Sequence, residues 1–267
     1  VTKLPYEGEL KGTKQRLLMQ LIANGDMSMQ QLKEAGVSSA TVRTLEGKGY
    51  LSIYEKRLQR LPYSAEEYVK KPYALSEKQK AVRDSAVSYM RSGKAEACLL
   101  YGITGSGKTK IIIEVVKEAL RQSRTAIVLL PEIGLTAQAI STYFAEFGNA
   151  CAVIHSRLSV GERADTYARI ANGEVKVVVG TRSAIFAPLK DIGVIVMDEE
   201  QEHTYKSDKT PKYHARDIAR FRCAKHGALM LLASATPSVE SFYKAETGVY
   251  HLLTLSERFG GTELPTV

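Results

Sequence analysis

The stretch Gly102-Ile-Thr-Gly105-Ser-Gly107-Lys108-Thr109 decides the fold. It fits Gly-x4-Gly-Lys-Ser/Thr, follows an apolar run at 97–101 and opens a helical stretch at 110–120. Strand, loop and helix in that order are the context a phosphate-binding loop requires. Glycines at 102, 105 and 107 leave no Cβ in the way, so peptide N–H groups can close on phosphate oxygens. The helix that starts there adds the partial positive charge of its N-terminus. Thr104 and Ser106 complete the cradle, Lys108 reaches the β- and γ-phosphates, and the Thr109 hydroxyl suits Mg²⁺. A merely flexible glycine-rich loop is the competing reading, and the flanking strand and helix weigh against it.

Outward from this loop, apolar runs at 126–130, 151–155, 175–179, 194–197 and 229–233 alternate with helical stretches. Short, uninterrupted apolar strands separated by helices predict a parallel sheet covered on both faces. The run at 194–197 ends in Asp198-Glu199-Glu200. A carboxylate at a strand's carboxyl end stands beside the phosphate loop. There Asp198 would hold Mg²⁺, and Glu199 would orient or deprotonate an attacking water. Thirty-six residues after Asp198, Ser234-Ala-Thr236 closes the run at 229–233. Its two hydroxyls can sense the γ-phosphate and the acidic motif. Thr236 before Pro237 also reads as a helix N-cap with proline at the first helical position. Gln79, in Ser76-Glu-Lys-Gln79, reads equally as the far end of a capping box.

Residues before the lobe show shorter elements. A helix at 14–23 stops at Asn24-Gly25, a second opens at the capping box Ser28-Met-Gln-Gln31 and ends near Gly36, and a third spans 39–48 before Gly49. Alternating segments at 50–54 and 55–61 follow, like a two-stranded ribbon. This is the order of a winged helix. Its third helix carries Thr41, Arg43 and Lys48, and its ribbon Lys56, Arg57 and Arg60. Such elements dock on DNA in many helix-turn-helix folds, although winged helices also dock proteins. The reading is therefore a winged-helix domain at 1–64, a linker at 65–74 and an α/β lobe at 75–267.

Composition agrees with a globular chain of one large or two ordinary domains: 267 residues, 44% hydrophobic and 25% charged. The net charge is +8, of which +4 falls on the first 75 residues. A basic first quarter suits an acidic partner such as nucleic acid. Cys98, Cys151 and Cys223 lie more than fifty residues apart, which excludes a Cys-x-x-Cys zinc site and argues against a secreted disulfide framework. No apolar run is long enough for a membrane span and no signal peptide is evident, so a cytoplasmic location is the default. The chain begins at Val1 rather than Met, which limits what an absence can mean.

Eight blocks in order carry a resemblance: Thr104-Gly-Ser-Gly-Lys-Thr109, Pro131-Glu-Ile-Gly-Leu-Thr136, His155-Ser156, Gly180-Thr-Arg-Ser-Ala184, Asp198-Glu-Glu200, Tyr205-Lys206, Tyr213-His-Ala-Arg-Asp217 and Ser234-Ala-Thr-Pro237. The chain resembles the superfamily 2 helicases, and more narrowly the bacterial replication-restart DNA helicases. The resemblance implies an α/β fold in which a winged helix precedes one RecA-like P-loop NTPase lobe. It implies ATP and Mg²⁺ as cofactors, with Lys108, Thr109, Asp198 and Glu199 in the roles argued above and Gln79 contacting adenine. It places Glu132, Gly134, Thr136, Thr181, Arg182 and Ser183 against single-stranded DNA, and Ser234 and Thr236 in coupling nucleotide state to strand movement. The stretch 201–217 resembles the family's aromatic-rich loop, where Tyr205, Lys206, Tyr213 and His214 would meet DNA by stacking and phosphate contact. Gln201 stands where relatives often carry histidine, and the chain has no tryptophan.

The same resemblance implies 3′-to-5′ unwinding at stalled forks, with forked and single-stranded DNA, primosome proteins and single-stranded DNA-binding protein as partners. It also implies a second lobe supplying an arginine at the γ-phosphate, and a zinc-binding cysteine cluster outside the first lobe. The sequence stops about thirty residues after Thr236. The isolated chain is thus expected to be a monomer that binds DNA, binds ATP weakly and turns it over poorly. A winged-helix regulator with an ATPase switch and an adaptor with a vestigial ATP site are the alternatives.

Overall fold

The computed structural model describes residues 1–6, 10, 12–54, 63, 70 and 72–257. The chain divides into two compact units, Val1–Leu58 and Gln59–Val267.

In the first unit, strand β1 (Thr2–Lys3) is followed by helices α1 (Thr13–Leu21), α2 (Met29–Glu34) and α3 (Ser39–Gly47), and then by strand β2 (Leu51–Ser52). Ser28 and Gln31 form the reciprocal capping box expected at the start of α2, and Ser38 caps α3 by accepting from the Thr41 N–H. Leu18, Ile22, Leu32, Val42, Leu45 and Leu51 close the core of this unit. Spacings of three and four residues put Leu18 with Ile22 and Val42 with Leu45 on single helix faces. Of the expected ribbon, only the segment at 50–54 falls on described residues. Strand β2 pairs antiparallel with β1, Thr2 opposite Ser52, a partner too short to read from alternation. The segment 55–61, including Arg57, lies outside the described residues.

The second unit is built on seven strands: β3 (Glu96–Gly102), β4 (Thr125–Leu129), β5 (Cys151–Ile154), β6 (Val177–Gly180), β7 (Ile192–Asp198), β10 (Leu229–Ser234) and β11 (His251–Leu255). Their order is β11-β3-β10-β7-β4-β6-β5, and every pairing is parallel. A short antiparallel ladder, β8 (Lys206–Ser207) with β9 (Tyr213–His214), stands apart from it. Six of the seven strands match the apolar runs. The seventh, β11, is an edge strand whose Leu252 faces solvent while Leu253 and Leu255 are buried. Burial on one side only broke the continuous apolar signal.

Helices α4 (Glu77–Arg91), α5 (Lys108–Arg121) and α6 (Ala137–Phe147) belong to one core, with Cys98 and Leu100 of β3 beneath them. The intervening Leu99 points to the other face, with residues of α7 (Val160–Ala171) and α8 (Ala215–His226). A two-residue period therefore splits one strand between two apolar cores. Helix α9 (Val239–Glu246) follows β10 and starts at an N-cap on Ser238. This corrects the alternative capping role given to Thr236: the chain needs two more residues before helical dihedrals begin. All three cysteines are buried and free. No helix among the described residues is long and apolar enough to cross a membrane.

Tyr63, at the end of the stretch read as the first domain, and Lys70 and Tyr73, of the stretch read as a linker, are held against the lobe. Tyr63 packs against Phe144 and bonds His155 at 2.8 Å, Lys70 pairs with Glu146 at 3.0 Å, and the Tyr73 hydroxyl donates to Glu114 at 2.8 Å.

Candidate functional site

Because all seven strands run the same way, their carboxyl ends share one edge, where an open α/β sheet binds ligands. Gly102, Gly180, Asp198 and Ser234 terminate β3, β6, β7 and β10 on that edge.

The phosphate loop wraps from β3 into α5. Gly105 and Gly107 hold φ of +82° and +87°, in the left-handed region that side chains resist. At Gly107 a Cβ would also lie 2.4 Å from Nε2 of Gln79. Lys108 is buried and its Nζ donates to the Gly102 carbonyl at 2.7 Å. Ser106 Oγ is buried with no hydrogen-bond partner among the described residues. A cradle of glycines, a buried lysine and an orphaned hydroxyl fits a polyphosphate.

Gln79 takes the capping-box role: its Oε1 accepts from the Ser76 N–H at 3.0 Å. Its Nε2 donates to the Ser106 carbonyl at 2.8 Å. Gln79 is buried, and through these contacts it braces the phosphate loop.

Asp198 ends β7 with its carboxyl pKa pushed up to about 6, first by burial and then by the neighbouring Glu199. Such a carboxylate gains most from a cation close by. Glu199 sits at φ +46°, strained for a residue with a side chain. Its Oε2 accepts from Nε2 of Gln201 at 3.1 Å. The same Gln201 amide accepts from Ser234 Oγ at 2.6 Å, and Ser234 Oγ accepts from the Thr236 N–H at 2.8 Å. The predicted coupling residues Ser234 and Thr236 are thus connected to Glu199 through Gln201. Glu200 turns the other way, 1% exposed, into an ion pair with Arg216. Its carboxylate also accepts from the Ser238 N–H at 2.7 Å and from Ser241 Oγ at 2.9 Å. Read from sequence, Glu200 has no role and Arg216 stands only among the basic residues of the aromatic-rich loop suited to phosphate contact; nothing in one chain distinguishes a buried ion pair from two surface charges.

The residues assigned to DNA divide into two groups. Glu132, Ser183 and Lys206 are exposed, as are Arg43 and Lys48 in the first unit. Thr136 is exposed but its side chain caps α6, accepting from the Ala139 N–H at 3.2 Å. Thr181 is buried. Tyr205 corrects the expectation of a stacking residue. It is 0% exposed, and its hydroxyl approaches the Leu129 carbonyl at 3.0 Å and the Asp198 carbonyl at 2.6 Å. A tyrosine can be spent this way because its ring fills core volume while its hydroxyl serves strand ends. Arg182 also points inward: Nη1 donates to the Thr204 and Lys206 carbonyls, and its guanidinium lies 5.8 Å from the Tyr213 ring centroid. Tyr213 is half-buried, and His214 caps α8 by accepting from the Arg216 N–H at 3.1 Å.

A parallel sheet with phosphate loop, acidic strand end and hydroxyl strand end on one edge defines a P-loop lobe. The DEAD/DEAH box helicase profile matches residues 79–244, and the chain belongs to that family. It is similar to the replication restart protein PriA of Bacillus subtilis, 41% identical over 236 residues, which cover 88% of this chain and 29% of that protein. The PriA protein of Synechocystis is 35% identical across 100% of this chain and 33% of its own length. The chain therefore spans about a third of the length of these relatives. Among solved structures, RecG bound to a three-way DNA junction has the same fold, with a TM-score of 0.51 and 21% identity over 72% of this chain and 25% of that one.

Proposed function

We propose that the second unit is the first motor lobe of an ATP-dependent 3′-to-5′ DNA helicase acting in replication restart. The observation that supports it best is the Glu199–Gln201–Ser234 connection across two strand ends, which joins the water-handling carboxylate to a hydroxyl motif. A vestigial ATP site would have no use for such a connection beside intact Lys108 and Asp198.

Bound ATP·Mg²⁺ supplies the phosphoanhydride and the charge that neutralises it. Lys108 would leave the Gly102 carbonyl for the β- and γ-phosphates. Thr109 and Asp198 would hold Mg²⁺, and Glu199 would orient the attacking water. Exposed Glu132, Ser183 and Lys206 would line the path of a single strand, with sequence-independent, salt-sensitive contacts. The first unit is proposed as a winged helix that meets forked DNA through Arg43 and Lys48, with 65–74 joining it to the lobe. In the longer protein a second lobe, a zinc cluster, primosome proteins and single-stranded DNA-binding protein complete the reading, in a cytoplasmic monomer.

Binding of a fluorescent ATP analogue with Mg²⁺, compared between the chain and Lys108→Ala, tests the nucleotide site. Saturable binding that the substitution abolishes supports it; equal binding by both proteins overturns it.

A further inference from the structure

The segment after β6 holds an oddity of burial. Between Arg182 and Ala187, the residues Ala184, Ile185 and Ala187 are 0% exposed, while the largest apolar side chain, Phe186, is 47% exposed. A single exposed apolar residue needs no explanation. Phe186, however, meets the half-buried ring of Tyr213 edge to face, with centroids 5.0 Å apart and planes at 74°. The Arg182 guanidinium lies over the Tyr213 ring, 5.8 Å from its centroid, and holds the backbone of the aromatic loop at Thr204 and Lys206. Lys206 pairs across the β8–β9 ladder with His214, next to Tyr213. Lys206, Lys209 and Lys212 are all exposed, against one exposed acid, Asp208, in the same stretch.

We infer that Phe186, backed by Tyr213, is a stacking platform for a base of single-stranded DNA, with the three lysines of the loop following its phosphates. The inference rests on the proposed strand-binding role of this lobe and adds a contact residue to it. An exposed π-face needs no hydrogen-bond code, so the platform accepts any base, and a surround of lysines keeps the backbone in register with it. Arg182 is a positioning residue on this account: it presents Tyr213 and so sets the angle at which Phe186 is supported.

The chain has no tryptophan, so Phe186→Trp introduces a single indole at the platform. Oligo(dT) binding is followed by anisotropy of a label on the DNA, at several salt concentrations. Phe186→Ala and Phe186→Leu are expected to weaken binding by roughly 5- to 150-fold, the range for losing one stacked base. Phe186→Tyr and Phe186→Trp retain it, and the indole emission is quenched as the oligonucleotide saturates. The slope of log affinity against log salt stays the same in every variant, because no phosphate contact is lost. Leucine keeps apolar volume without a π-face. Wild-type affinity in Phe186→Leu, or an indole emission that saturating DNA does not change, overturns the platform while leaving strand binding intact. No affinity of the unaltered chain for oligo(dT) overturns both.

Discussion

Ser234 donates its hydroxyl to the side-chain carbonyl of Gln201 at 2.6 Å. Since the same amide donates to Glu199 at 3.1 Å, the end of β10 can sense the end of β7 through one side chain. A glutamine suits this place because it carries an acceptor and a donor at once. Replacing Gln201 with alanine, or Ser234 with alanine, is expected to lower kcat about tenfold while leaving ATP affinity unchanged, as for an interaction that positions a group for the chemical step. Steady-state kinetics check this; a rise in KM alone, with kcat intact, would show that the link serves binding instead.

Tyr205 joins the aromatic loop to the strand that carries Asp198. Tyr205→Phe keeps the ring but removes a hydroxyl that meets two strand-end carbonyls, at Leu129 and Asp198. The cost is about 1–3 kcal/mol for buried acceptors left unpaired. Urea unfolding measures it. A change smaller than a few tenths of a kcal/mol would mean that water replaces the hydroxyl.

Glu200 and Arg216 form a nearly buried ion pair, supported by Ser238 and Ser241. Glu200→Ala strands a guanidinium inside the lobe and is expected to cost about 3–5 kcal/mol. Joint replacement, Glu200→Leu with Arg216→Met, should restore much of that loss, since the charges offset each other's desolvation rather than add stability. Thermal unfolding of the single and double variants decides between these outcomes.

His155 and His214 each accept a backbone N–H at Nδ1, from Arg157 and Arg216. An imidazolium has no acceptor, and burial lowers both pKa values below the usual 6.5 or so. The unfolded chain therefore takes up protons before the folded one. The stability these groups contribute is present above about pH 6.5 and is lost as pH falls through the lowered folded values. Unfolding free energies measured between neutral and mildly acidic pH should decline, and His155→Asn, which keeps an acceptor that does not titrate, should flatten part of that decline.

Much of the lobe is legible in the sequence because its strands are buried on both faces and read as continuous apolar runs. The phosphate loop and Asp198 follow from strand and helix context alone. Tyr205 shows the limit. It stands in a block that marks contact with a ligand, yet in the structure it is fully buried and braces strand ends. A motif gives residue type and spacing, whereas the direction of a side chain depends on which backbone carbonyls the tertiary fold brings near. The edge strand β11 and the β1–β2 pairing are not legible for other reasons: β11 is buried on one side only, and β1 is two residues long.

The central claim is that ATP turnover at the Lys108–Glu199 edge is coupled to a DNA strand. The most direct measurement is steady-state ATP hydrolysis by a protein of the full length of the PriA relatives, with forked DNA and without, beside Lys108→Ala and Glu199→Gln. The account predicts turnover that DNA stimulates strongly and that both substitutions abolish. Turnover indifferent to DNA, or turnover that survives Glu199→Gln, would contradict it.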